Sequence, residues 1–592
     1  MGSFVVVRTP GHPPEELAAE RGLRAAPHRG APRASARVGD ALIAISDVDD
    51  PPGDASLAEV DGHVAAFTGQ LDNRGPLALE LGLARDATPA AIAIAAHLRW
   101  GADAPSRYRG PFATAVTDGR AVHLARDPLG LRSAFYRRDA AGTFAGSEVK
   151  QVLTAAGRPI EPDLDVVEAI VFQEYDDDTP TALRGAERAP RGMTVRLDDG
   201  QALRHRYWDP ADLLETGRYT DDEIQDRFDE LMTQAASRAL LGDDVISLSG
   251  GIDSPAVAAY AGPVHRARYG EDLAALSVVY PSFPEVDESE YIGLVVDRVG
   301  LDLHTYEERS KTLDDVEDWM RVLDSPVPQF FLAESAEHYR YARAQGWRTM
   351  LTGELAEWIV ERRDYLLPHL LLHGRPRSVA SHLARQRRLH GVRARGMARQ
   401  LAPAFMTPRI ERAWTAVRPA QVEVPPWVDE GRLRRVEQRW ATPARDRWLA
   451  FQTAIFFGPD VAAEAEDVAQ AVTGMRVRRP FGDLDLMSFF LSLPAERKFP
   501  DTHYKGLLRR VLRGRLPDPL LDRPSKAVFN AAVMARADVP KLRELLIDPP
   551  HRIPGIDYAA IAERLDDATP LVIGEYERLK NLAATHAFLA RW

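Results

Sequence analysis

One short stretch limits what this chain can fold into more than any other: Val245-Ile246-Ser247-Leu248-Ser249-Gly250-Gly251-Ile252-Asp253-Ser254-Pro255-Ala256. Its apolar start reads as a buried strand, Ser-Gly-Gly as the turn off that strand, and Pro255 suits the first turn of a following helix. Glycines let backbone come close to an anion, and a helix N-terminus adds unpaired N–H groups and a positive dipole. The Ser249 and Ser254 hydroxyls can donate to phosphate oxygens. Asp253 repels phosphate, so its natural role in such a loop is to hold a Mg²⁺ ion. Two more apolar runs, Leu273–Tyr280 and Arg348–Leu351, have with Asp244–Leu248 the spacing of βα units feeding a parallel sheet. Asp221–Leu241 has helical periodicity, and beyond about residue 360 the pattern is almost entirely helical.

The first two hundred residues differ. Phe4–Val7, Ala41–Ser46, His63–Thr68, Phe112–Val116, Ala121–Ala125, Ser133–Tyr136 and Met193–Leu197 read as short strands between turn signals such as Asp198-Asp199-Gly200. Helical patterns fall near Pro76–Leu83 and Pro89–Trp100, so a sandwich with helices outside it is expected. At 592 residues the chain needs at least two domains. Its net charge of −12 argues against a dedicated nucleic-acid binder. No run is apolar enough for a membrane span and the start lacks a signal-peptide pattern, so a cytoplasmic location is expected. With no cysteine, disulfides, Cys-ligated metals and any thiol nucleophile are excluded. The seven lysines (150, 311, 498, 505, 526, 541 and 580) are few beside the arginines, which favours a need for a compact charge where lysine is kept. Ten arginines crowd residues 375–412, with no acid before Glu411. That run reads either as a solvated helical face or as a dock for an acidic peptide.

The nucleotide loop lacks the Gly-x-x-x-x-Gly-Lys-Ser/Thr spacing of loops that transfer a terminal phosphate. It resembles the PP-loop, Ser-Gly-Gly-x-Asp-Ser, of ATP pyrophosphatases, which cleave between the α and β phosphates. Other segments follow in the order seen in class B asparagine synthetases: Pro284-Glu285-Val286-Asp287-Glu288-Ser289, Thr352-Gly353-Glu354-Leu355-Ala356-Glu357, Arg478-Arg479-Pro480-Phe481-Gly482-Asp483, Leu493-Pro494, Lys505-Gly506-Leu507-Leu508-Arg509 and Arg523-Pro524-Ser525-Lys526. In the first half, Thr68-Gly69-Gln70-Leu71-Asp72-Asn73, Gly110-Pro111-Phe112-Ala113, Ala125-Arg126-Asp127-Pro128-Leu129-Gly130 and Gly146-Ser147-Glu148-Val149-Lys150 resemble landmarks of the family's glutaminase domain. The resemblance implies an α/β protein: an Ntn-hydrolase-like αββα sandwich over 1–205, then an AMP-forming synthetase with a PP-loop parallel sheet over 206–592. Helical additions and an Arg-rich insertion at about 365–450 belong to the second domain. It further implies that Leu248, Ser249, Gly250, Gly251, Asp253, Ser254, Ser277, Val278, Thr352, Gly353 and Glu354 bind ATP and pyrophosphate. Asp253 and Glu357 would hold Mg²⁺, and Lys526 and Lys505 would be catalytic.

Departures from the family sharpen the expectation. Its glutaminases carry a cysteine after the initiator Met; here that position is Gly2, so the first domain is expected to be inactive. Glu357 stands for a family Asp, Trp358 for the Glu after it, and Arg476 for a Glu before the Arg-Val-Pro-Phe signature. A PP-loop without a glutaminase resembles β-lactam synthetases and lasso-peptide cyclases, and the length, the Arg-rich insertion and Pro425-Pro426-Trp427 favour the latter. The expected reaction is ATP-dependent ring closure of a precursor peptide, alongside a leader-binding protein and a leader peptidase. A small-molecule cyclase or other amidotransferase, and a non-catalytic docking subunit, are the alternatives. His338, His369 and His503 are candidates by type for the base that deprotonates the amine.

Overall fold

The computed structural model describes residues 1–48, 53–172, 174, 179–327, 329–391, 393–406, 409–410, 425–429, 447–457, 461–500, 504–524 and 529–592. Up to residue 206 its strands are β1 (Ser3–Arg8), β2 (Ala31–Val38), β3 (Ala41–Asp47), β4 (Ala55–Val60), β5 (His63–Gly69), β6 (Phe112–Thr117), β7 (Val122–Arg126), β8 (Phe135–Asp139), β9 (Gly142–Gly146), β10 (Glu187–Arg188), β11 (Met193–Leu197) and β12 (Ala202–Arg206). They form two antiparallel sheets, ordered β10-β8-β9-β1-β3-β2 and β12-β11-β7-β6-β5-β4. Strand alternation sends Phe4, Val6, Ile43 and Ile45 of one sheet against Val64, Ala66, Ala115 and Leu124 of the other. The outer face of the first sheet, with Val5, Val7 and Leu42, packs on helices Glu16–Arg24 and Val149–Ala155. The outer face of the second, with Ala65 and Phe67, packs on helix Pro89–Trp100. These layers make the expected αββα sandwich.

The second half is built on β13 (Asp244–Ser247), β14 (Ala274–Val279), β15 (Asp302–Glu307), β16 (Thr349–Leu351) and β17 (Arg476–Arg478). All pair in parallel, in the order β15-β14-β13-β16-β17. The chain leaves β13 toward β14 on one side and returns to β16 on the other. That reversal opens a crevice at the C-terminal ends of the strands, where ligands of α/β sheets bind. Helix Asp221–Ala239 is started by a reciprocal Thr220/Glu223 capping box and buries Ile224, Phe228, Leu231 and Met232.

The strands absent from the sequence reading have one physical cause. β2, β10, β4 and β12 are the edges of the sandwich, and β15 and β17 the edges of the parallel sheet. Edge strands face water on one side, so their apolar alternation is weak; β12 is exposed along four of its five residues. Only β9, a Gly-Thr-Phe-Ala-Gly segment, was missed in an interior position. Pro425-Pro426-Trp427 anchors its segment to the core. Trp427 is buried in the core that also takes the C-terminal helices, and its carbonyl accepts from the Asp557 N–H at 2.8 Å.

The two halves share that apolar core, in which Val152 and Ile170 join Trp319, Phe330, Leu582 and Phe588. Ion pairs complete the seam. Arg29 binds Glu148 at 2.6 Å and Asp467 at 3.0 Å, and Arg132 binds Asp467 at 2.7 Å and also Asp54. Arg188 and Arg126 both reach Glu464, and Lys150 reaches Asp324 at 3.1 Å. Helix Val461–Thr473 supplies Glu464 and Asp467 three residues apart, hence on one face.

Candidate functional site

The loop after β13 is held open by its own side chains. The Ser254 hydroxyl accepts from the Ser249 N–H at 3.0 Å and lies 3.1 Å from the Ser249 hydroxyl. Helix Asp253–Tyr269 starts here, so its free N–H groups face the crevice. Glu288 accepts from the Gly250 N–H at 3.0 Å, and Arg523 clamps Glu288 at 2.6 Å and the Gly250 carbonyl at 2.9 Å. A β-carbon on Gly250 would meet that of Glu288 at 2.5 Å, and one on Gly353 would meet the Ser254 nitrogen at 2.4 Å. Both glycines are therefore required by close approach.

Ser277 does not line a pocket with its side chain. It is fully buried, and its hydroxyl donates to the Leu248 carbonyl at 2.9 Å, tying the ends of β13 and β14 together. Its hydroxyl is spent on the protein, and Val278 beside it is half-buried. Thr352 is buried with its hydroxyl unpartnered at the end of β16. Glu354 is exposed and pairs with Arg479. Arg479 also lies 3.4 Å from Glu466, which accepts from the Tyr339 hydroxyl at 2.6 Å. Burial, reinforced by the Glu354 charge and opposed by Arg479, pushes the Glu466 carboxyl up to about 7.

Lys505 lies within the site with its side chain only 3% exposed, and its ammonium binds Asp253 and, at 2.8 Å, Glu361. Glu357 is on the rim. Loss of hydration raises its carboxyl, and repulsion from Asp253 and Glu361 adds to that against the Lys505 charge. Among the described residues no three His, Cys, Asp or Glu groups form a ready metal cage. The donor chemistry nevertheless fits a hard cation, since an ammonium already stands among oxygen donors. Lys526 and His503 lie outside the described residues.

The histidine candidates separate. His338 faces the Ser247 hydroxyl at 3.0 Å and the Tyr306 hydroxyl at 2.9 Å, and loss of hydration pushes it down to about 4. A base that weak does not hold a proton taken from an amine. His369 is paired with Glu215 at 2.9 Å. Sequence reasoning missed Glu361, Tyr339 and Glu466, which sit in no motif. It quoted Glu288 and Arg523 without giving them a role.

In the first domain, position 2 has no room for a nucleophile. A β-carbon there would lie 2.5 Å from that of Ala55, 2.6 Å from the Ser46 carbonyl and 2.8 Å from Asp47 Oδ1. The Gly2 N–H donates to Asp54 at 2.9 Å, and Asp54 in turn pairs with Arg132.

The asparagine synthase family matches residues 227–578, and the glutamine amidotransferase domain family matches 18–208. A putative glutamine-hydrolysing asparagine synthetase of Mycobacterium bovis is 26% identical over 523 residues, covering 78% of this chain and 74% of that protein. The third glutamine-hydrolysing asparagine synthetase of Bacillus subtilis is 23% identical over 492 residues, covering 78% and 75%. A solved structure described as the allosteric regulatory enzyme of purine biosynthesis is 13% identical with a TM-score of 0.27, covering 53% of this chain and 81% of that one. No helix among the described residues is long and apolar enough to cross a membrane. The chain belongs to the asparagine synthase family of ATP-dependent amide ligases, with a class II glutamine amidotransferase fold ahead of its synthase domain.

Proposed function

We propose that this chain closes a macrolactam ring in a precursor peptide, as lasso-peptide cyclases do, at the expense of ATP. The observation that carries the reading is an intact, braced PP-loop in a chain with no cysteine and no space at Gly2 for one. An activated carboxylate is formed, but glutamine hydrolysis does not supply its amine. A peptide that carries both groups meets that need.

A side-chain carboxylate of the peptide attacks the α-phosphorus, the bond to the β-phosphate oxygen breaks, and pyrophosphate leaves against the N-terminus of helix Asp253–Tyr269. A Mg²⁺ ion held by Asp253 and Glu357 would supply charge neutralisation on the phosphates. Lys526, by resemblance, contacts the α-phosphate. The peptide's N-terminal amine then attacks the acyl carbon, the amide forms and AMP leaves with the acyl oxygen. The enzyme's further task is to keep the peptide folded for attack and to keep water off the adenylate. The exposed Arg377, Arg387, Arg388, Arg393, Arg395 and Arg399 favour an acidic peptide or leader as the bound partner. A leader-binding protein and a leader peptidase would prepare the substrate. Mass spectrometry of a core peptide incubated with enzyme and ATP tests the reading: loss of one water with release of pyrophosphate is expected, and an unchanged mass rejects it.

A further inference from the structure

The peptide plane between Gly250 and Gly251 decides what the nucleotide loop shows to an anion. In a trans peptide the carbonyl and the N–H point in opposite directions, so turning the Gly250 carbonyl one way turns the Gly251 N–H the other. Glycine on both sides leaves that plane nearly free to rotate, and the flipped form would set a carbonyl oxygen where a phosphate oxygen must come. The Ser249 and Gly250 N–H groups are already given to Ser254 and Glu288. Gly250 is buried, whereas Gly251 is half-buried, with its N–H 3.3 Å from the Ser249 hydroxyl on the open side of the turn.

One ion pair fixes the plane. Arg523 Nη1 donates to the Gly250 carbonyl at 2.9 Å and to Glu288 at 2.6 Å, and Glu288 accepts from the Gly250 N–H at 3.0 Å. The pair is itself anchored. Glu288 stands at the start of helix Ser289–Val299, and the Tyr291 ring of that helix lies 4.4 Å from the Arg523 guanidinium carbon. Arg298 of the same helix donates to the Gly514 and Arg515 carbonyls, tying it to the segment that carries Arg523.

We propose that Glu288 and Arg523 are positioning residues that lock the Gly250–Gly251 peptide with its carbonyl turned out of the anion site and its N–H turned into it. The inference rests on the reading of this loop as the pyrophosphate-binding loop of an ATP site. Both residues act through the loop backbone, and the pair makes two flexible glycines into a fixed donor.

Titration calorimetry of the full-length protein with Mg²⁺–pyrophosphate and with α,β-methylene-ATP tests this role. Arg523→Met keeps a long side chain without its donors and is expected to weaken both probes by about tenfold or more. Arg523→Lys is expected to regain most of that loss, because one nitrogen makes both contacts and an ammonium carries three donors. Glu288→Ala joined to Arg523→Met is expected to lose no more than the worse single variant, since either change breaks the same lock. Affinities within about twofold of wild type in both single variants would overturn the lock and leave the ATP site standing. Additive losses, or a lysine no better than methionine, would overturn it too. Failure of the wild-type protein to bind either probe rejects the ATP-site reading itself.

Discussion

The seam between the domains and the nucleotide site use the same side chains to opposite ends. At the seam, Arg29, Arg126, Arg132, Arg188 and Lys150 meet Glu148, Asp467, Asp54, Glu464 and Asp324 in a mutually paired network. At the nucleotide loop, Lys505 pairs with Asp253 and Glu361 among the described residues, and Glu357 lies beside them on the rim. The difference is visible on consecutive residues of helix Val461–Thr473. Asp467 faces two guanidiniums; despite burial, their charge and hydrogen bonds hold its carboxyl down to about 2. Glu466 faces the site, with one arginine shared against Glu354, and burial pushes it up to about 7. Matched charges make a lock, whereas an excess of one sign makes a place for a ligand.

Crossed substitutions offer the sharpest way to break this contrast. Asp467→Ala is expected to lower stability by about 3–5 kcal/mol, read from the first unfolding transition in urea, with pyrophosphate release per folded molecule little changed. Asp253→Ala is expected to do the reverse: a loss of ~100–1000-fold in pyrophosphate release with a small change in the transition. Equal damage to both properties in either variant removes the distinction.

A second substitution probes the first-domain side of the seam. Gly2→Cys restores the family's residue type but forces a β-carbon into Ala55, Ser46 and Asp47. Glutamine hydrolysis is expected to stay undetectable and stability to fall by about 1–3 kcal/mol. Glutamate production by this variant would show that the fold still holds a working glutaminase pocket.

The smallest effect is in the pH dependence. A carboxyl held below its ordinary value of 3.8 stabilises the fold above that pH, so the Asp467 contribution is lost as pH falls through about 4 to about 2. Glu466 has the opposite sign. Folded, it keeps a proton that the unfolded chain sheds near 4.5, so its term weakens the fold as pH rises from 4.5 to about 7. Asp467→Asn is expected to flatten the acid limb and Glu466→Gln the neutral limb of stability against pH. Identical profiles for the two variants would place both carboxyls in the same environment.

The features legible in the sequence were those that short range encodes. Ser249–Ser254 could be read because strand, turn and helix signals meet within one segment, and interior strands because both their faces are apolar. The edges β15 and β17 were hidden by their charge, β17 being Arg-Val-Arg. The seam and the lysine placement were hidden by distance: Arg29 meets Asp467 across 438 positions and Lys505 meets Asp253 across 252. No local pattern marks which arginine in an arginine-rich chain will find an acid that far away.

Helix Val461–Thr473 also bears on how such a chain can evolve. Among the described residues, its Glu464 and Asp467 pair with arginines of the first domain. A gene that discarded that domain would leave the synthase half with a bare acidic ridge beside an uncovered apolar floor. The first domain's arginines thus serve the synthase half directly, as a subunit would in all but chain connectivity.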